Sequence, residues 1–126
     1  MILGVGVDIL AISRIGAIVR RGGKYTERFA RRILCQKENA HYSAQIANCG
    51  AAEQTRYLAT RWCVKEAVYK AAYPYQKLRW SDVHVFKEGP KLAARIAWAP
   101  ELAHARAHVS ISHDHGLLIS YAIVEV

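Results

Sequence analysis

No apolar run in this 126-residue chain reaches the roughly eighteen residues that a membrane-crossing helix needs. The N-terminus has no basic start and no small-residue cleavage site, and it is not an Arg/Ser-rich amphipathic leader. The expectation is a mature fold that begins at the first residue. Cysteine is scarce. Cys35, Cys49 and Cys63 are odd in number and form no C-x-x-C, which argues against a disulfide framework and a zinc knuckle and favours a reducing, intracellular setting. Proline occurs 3 times and glycine 8 times, too rarely for a collagen-like or low-complexity chain. No G-x-x-x-x-G-K-[ST] is present, so P-loop chemistry is excluded. Acidic residues are few: 10 against 18 Lys and Arg, a net charge of +8. An excess of that size points to an acidic partner or ligand.

The length suits one domain over residues 1–126, with enough chain to bury a core unaided. Residues 2–9 alternate as a strand does. Leu3, Val5, Val7 and Ile9 fall on one face, and Gly4, Gly6 and Asp8 on the other. The glycines leave the second face bare, as if something approaches it closely. Residues 11–21 read as a helix stopped by Gly22-Gly23. Seven basic residues lie between Arg14 and Arg32, opposed only by Glu27. Residues 36–50 read as a short helix and loop, and residues 51–72 as a long helix that Pro74 ends. Strands are expected at 82–87, 92–98, 107–113 and 117–126, with a short helix at Pro100. The order β-α-α-α-β-β-α-β-β predicts an α+β fold, a long helix packed on a mainly antiparallel sheet. The last strand, apolar on both faces, is expected to be buried on both.

Three local signals carry polar chemistry. Asp8 lies on the bare face of the first strand. Lys65-Glu66-Ala67-Val68-Tyr69-Lys70 lies on the long helix. His108, Ser110, Ser112 and Asp114 share one face of a late strand, with Val109, Ile111 and His113 on the other. Each has an ordinary explanation: a strand-end or cap carboxylate, an i,i+4 surface pair of Glu66 with Lys70, a solvent-facing strand edge. Together they suggest more. Two carboxylates from separate elements suit magnesium, which takes one or two carboxylates with waters and phosphate oxygens. Lys70, one turn beyond Glu66, can meet a phosphate as a point charge.

These segments resemble the small holo-acyl-carrier-protein synthases, the short class of 4′-phosphopantetheinyl transferases. The resemblance runs nearly end to end. It covers Gly4-Val5-Gly6-Val7-Asp8-Ile9, Arg14-Ile15, Arg28-Phe29-Ala30-Arg31-Arg32-Ile33-Leu34, Arg61-Trp62-Cys63-Val64-Lys65-Glu66-Ala67-Val68-Tyr69-Lys70-Ala71, Ser81-Asp82-Val83 and His108–His113. It implies transfer of the phosphopantetheine arm of coenzyme A to a serine of an acyl carrier protein, releasing adenosine 3′,5′-bisphosphate, for fatty acid synthesis. It implies Mg2+ held by Asp8 and Glu66, with Asp8, Glu66 and Lys70 as catalytic residues. Lys65, Lys70, His108, Ser110, Ser112 and His113 are implied at the coenzyme A site. Arg14, Ile18, Arg21 and Arg28 are implied as the docking surface for the acidic carrier. A homotrimer with active sites between subunits is implied too, and no membrane partner.

The chain also departs from the pattern. Residues around Gly22–Tyr25 and the 36–56 stretch look inserted, and Trp62-Cys63 stands where Phe-Ala is usual. Bacterial relatives carry a Gly-rich loop after Lys70-Ala71; here Ala72-Tyr73-Pro74-Tyr75-Gln76-Lys77-Leu78 follows. That segment is more similar to the fungal mitochondrial branch, so the expected address is the mitochondrial matrix or else the bacterial cytoplasm. The alternative from a different class is a small basic nucleic-acid-binding module stacking bases on Tyr25, Phe29 and Tyr42. No RNA-recognition, K-homology or helix-turn-helix signature supports it. A metal site of His104, His108, His113 and His115 fits no standard zinc spacing.

Overall fold

A computed structural model describes residues 1–126. The chain runs β1 (Ile2–Ala11), α1 (Ile12–Arg21), α2 (Gly23–Ile33), α3 (Gln36–His41), a π-helical turn (Tyr42–Ile46), α4 (Ala51–Ala72), β2 (Val83–Glu88), β3 (Lys91–Ile96), β4 (Arg106–Asp114) and β5 (Leu117–Glu125). Single 3₁₀ turns lie at Trp80–Asp82 and Pro100–Leu102. The fold is α+β. One sheet is ordered β1-β5-β4 and antiparallel throughout, and β2 and β3 pair as a separate antiparallel hairpin.

The strands and the long helix stand where hydrophobic periodicity puts them. One element was not anticipated. The glycine pair at 22 and 23 does stop α1, with Gly22 at φ 67° and Gly23 at φ 52°, but the chain restarts at once as α2. The β4–β5 connection is tight because His115 and Gly116 both take positive φ, 47° and 74°, the signature of a twist-matched hairpin turn.

α4 lies across the inner face of the sheet and joins two cores. Leu58, Ala59 and Cys63 pack with Leu10, Ile15, Val19 and Ile33; Val64, Ala67, Val68 and Ala71 pack with Val83, Val85, Ala122 and Val124. The bare face of β1 faces this helix. A β-carbon on Gly6 would sit 1.9 Å from the Ala67 carbonyl oxygen, and one on Gly4 would sit 2.1 Å from that of Ala71. Helix backbone, not a ligand, makes the close approach that the glycines permit. Gly6→Ala should therefore prise α4 from β1. Because neither backbone can yield cheaply, the expected cost is on the order of 3 kcal/mol, read as a lowered thermal midpoint.

The opposite face of the sheet is uncovered. Val5, Val7 and Ile9 of β1 and Leu117, Ile119 and Tyr121 of β5 all point outward and are exposed, Ile9 at 62%. Within one chain β5 is thus buried on one face only, through Leu118, Ser120, Ala122 and Val124. The expectation of burial on both faces is not met inside the single chain.

Candidate functional site

Asp8 is neither a strand-end residue nor a helix cap. It sits inside β1, three residues before the strand ends, and α1 has no side-chain cap. Its carboxylate points along the α4 side of the sheet and is largely buried, while the Lys70 ammonium opposite is half exposed. Lys70 Nζ donates to Asp8 Oδ1 at 3.2 Å and to the Val7 carbonyl at 2.9 Å. Lys70 therefore reaches back to the strand and pairs with Asp8 instead of forming the i,i+4 surface pair with Glu66. Glu66 stands beside them. Its carboxyl pKa is raised, first by burial and then by the Asp8 charge, with Lys70 opposing. Two carboxylates and one ammonium, far apart in sequence, thus converge where β1 crosses α4.

The pair suits a divalent cation. The Asp8 charge raises the cost of ionising Glu66, and a cation between the two carboxylates would remove that cost. No group of three His, Cys, Asp or Glu side chains is placed to hold a metal ion, so any cation here would rest on these two carboxylates alone.

Lys65 is not a phosphate ligand. Its side chain is 1% exposed, and Nζ donates to Glu38 Oε1, to the Ile33 carbonyl at 2.7 Å and to the Trp80 carbonyl at 3.0 Å. All three ammonium protons are used. Glu38 is equally enclosed. Its Oε1 also accepts from the Cys35 amide and its Oε2 from the Val85 amide at 2.9 Å, so the pair ties α2, α3, α4 and β2 together.

The β4 residues divide. His108, Ser110 and Ser112 lie on the outer face of the sheet, away from Asp8, and His108 Nε2 pairs with Glu125 Oε1 at 2.8 Å. His113 points to the inner side and, together with Ser110 on this edge strand, lines a groove of about 1460 Å³ between α1, α4 and the β2–β4 strands. The groove is basic, with Arg20, Lys37, Arg56, Arg61 and Lys87 along it. Nothing in the local sequence marks a role for Arg61. Its guanidinium lies 3.7 Å over the Tyr57 ring, Nη1 donates to Thr60 at 3.2 Å, and Nε is buried without a partner. Asp8, Glu66 and Lys70 do not line this groove. Arg61 and Glu66 are five residues apart on α4, about 140° around its axis, so the two halves look in different directions.

Arg14, Arg21 and Arg28 are exposed on α1 and α2, and Ile18 is half-buried among them. This surface adjoins the carboxylates, because Phe29 of α2 stacks on Trp62 (centroids 5.7 Å apart), one turn ahead of Glu66 on α4. The stacking groups weighed for nucleic acid are otherwise engaged. Tyr25 lies under the Arg21 guanidinium at 3.7 Å, and Tyr42 is buried with its hydroxyl on Gln54. The four histidines form no metal cluster.

Comparison with known proteins identifies the family to which the chain is similar. The sequence profile of the 4′-phosphopantetheinyl transferase superfamily matches residues 4–122. A holo-[acyl-carrier-protein] synthase of Pectobacterium carotovorum is 35% identical over 132 residues, covering 98% of each chain. A Schizosaccharomyces pombe protein, provisionally given the same name, is 32% identical over 124 residues, 96% of this chain and 94% of its own. In three dimensions the Neisseria meningitidis synthase superposes with a TM-score of 0.75 at 24% identity, over 100% of each chain. The Helicobacter pylori synthase, solved with coenzyme A, gives 0.71 at 24%, over 96% of this chain and 99% of that one. On the profile match and these full-length relatives, the chain belongs to the 4′-phosphopantetheinyl transferase superfamily.

Proposed function

We propose that this chain is a magnesium-dependent holo-acyl-carrier-protein synthase serving fatty acid synthesis. The observation that carries the reading is the convergence of Asp8, Glu66 and Lys70 at the β1–α4 crossing, in a chain whose relatives bear that name. In the reaction a serine oxygen of the carrier forms a bond to the pantetheine-side phosphorus of coenzyme A. The diphosphate bridge breaks, adenosine 3′,5′-bisphosphate leaves, and the serine gives up its proton. Asp8 and Glu66 would hold Mg2+, which when bound neutralises charge on the diphosphate. Lys70 holds Asp8 in place and keeps a free donor for a phosphate oxygen. Without a cation the Glu66 carboxyl pKa is raised by burial and by the Asp8 charge, a cost that a bound cation would relieve. Little covalent work falls to the protein in such a transfer, so alignment and electrostatics supply most of the rate.

The nucleotide end needs a different surface, because the basic groove faces away from Glu66. A neighbouring copy can present its groove, with Arg61 and His113, to the carboxylates of this one. Its outer-face His108, Ser110 and Ser112 would then lie at the junction between copies. The uncovered apolar sheet face supports such an assembly, a homotrimer by the family resemblance. Ile119→Asp should leave a folded monomer in sedimentation velocity and abolish transfer, since every centre would lack half its ligands.

The acidic carrier would dock on α1 and α2, where Arg14, Arg21 and Arg28 steer it and Ile18 offers an apolar contact. The reading places the enzyme in the mitochondrial matrix or the bacterial cytoplasm. The direct test mixes the protein with apo acyl carrier protein, coenzyme A and Mg2+ and weighs the carrier by mass spectrometry. A gain of one phosphopantetheine, lost when the metal is chelated, is expected. An unchanged carrier mass overturns the proposal.

A further inference from the structure

We propose that Ser120 is a positioning residue for the Asp8–Glu66 pair, locking the strand that carries one carboxylate to the helix that carries the other. This inference rests on the two-carboxylate reading above. Ser120 is the lone polar side chain on the inner face of β5, where Leu118, Ala122 and Val124 surround it, and it is 1% exposed. In the β1–β5 register it stands directly opposite Asp8. Its hydroxyl donates to the Cys63 carbonyl at 2.6 Å, in the body of α4 and one turn before Glu66. The Cys63 thiol lies 3.5 Å from the Asp8 carbonyl and 3.6 Å from that of Leu118. Strand, helix and neighbouring strand are therefore pinned to one another at the level of the carboxylates, alongside the Lys70 bonds from α4 to Val7 and Asp8.

The bond is not needed to satisfy α4. A mid-helix carbonyl already accepts from the amide four residues on, and Ala at position 120 would suit this apolar surface. Its consequence is positional. Gly4 and Gly6 let helix and strand come into contact but do not fix how far one slides along the other. A hydroxyl bonded at 2.6 Å from a strand in register with Asp8 does fix it. Groups hydrogen-bonded directly to metal ligands typically change metal affinity by about 10–100-fold when lost, and Ser120, which acts on the backbone carrying the ligands, is expected at the lower end of that range.

The test uses the assembled protein with coenzyme A and Mn2+ as a paramagnetic substitute for Mg2+, with binding read by water proton relaxation. Ser120→Ala is expected to weaken Mn2+ binding by about 10-fold with a thermal midpoint within a few degrees of wild type. Ser120→Cys, which keeps a weaker donor, should fall between. Equal Mn2+ affinity in wild type and Ser120→Ala overturns the inference. So does a loss of affinity in both variants that simply follows a loss of folded protein, because that is a structural role alone. If wild type itself binds no Mn2+, the two-carboxylate reading fails instead.

Discussion

Glu66→Gln should reduce transfer to the carrier serine by a factor of about 10² or more, the scale on which removing one electrostatic stabiliser acts, while the protein melts at or above the wild-type temperature. The two halves of this expectation come from one cause. Burial and the Asp8 charge raise the carboxyl pKa of Glu66, so the ionised form is disfavoured in the folded state. A carboxyl raised in this way adds stability below its unfolded pKa, and that contribution is lost as pH rises through the folded value. At neutral pH the wild type therefore carries a cost that Lys70 offsets only in part and that the neutral amide removes. Kinetics and melting at pH 5 and pH 7.5 separate the contributions: the stability advantage of Glu66→Gln should shrink at the lower pH. Unchanged turnover would remove Glu66 from the site.

Lys65→Met should have the largest effect on stability. It strips the buried Glu38 of its ammonium partner, and breaking a buried ion pair in this way typically costs roughly 3–5 kcal/mol. The thermal midpoint should fall by on the order of 10–15 °C. The loss reflects the stranded partner more than the worth of the bond. Removing both charges with Lys65→Met and Glu38→Leu should recover part of it, although the amides of Cys35 and Val85 would still lack their acceptor. A double variant no more stable than the single would show that those backbone bonds dominate.

These two adjacent residues also show what the sequence could and could not reveal. The string Lys65-Glu66 invites a shared role, yet neighbours on a helix point about 100° apart. Glu66 faces Asp8; Lys65 faces the interior and Glu38. The convergence of Asp8 with Glu66 was legible because both sit in patterned elements, an alternating strand and a long helix. Glu38 was not, because Cys35-x-x-Glu38 forms a capping box with a residue that seldom serves as a cap. α2 was missed because a glycine pair reads as an end when here it is a hinge between two helices. The bare face of β1 was legible as a close approach, but composition does not say whether a ligand or a helix comes near. Arg61 lay within the matched segment without a function, since nothing local marks a guanidinium that faces a groove built by distant strands.

On the proposed reading, the divergence of the two sides of α4 has an arithmetical effect. Each chain would own half of two centres and the whole of none. A closed ring of three contains three working centres, whereas a pair joined by one such contact contains a single one, and a lone chain contains none. Output per chain would then fall faster than the fraction of associated protein as the solution is diluted, so that concentration itself acts as a throttle on the enzyme.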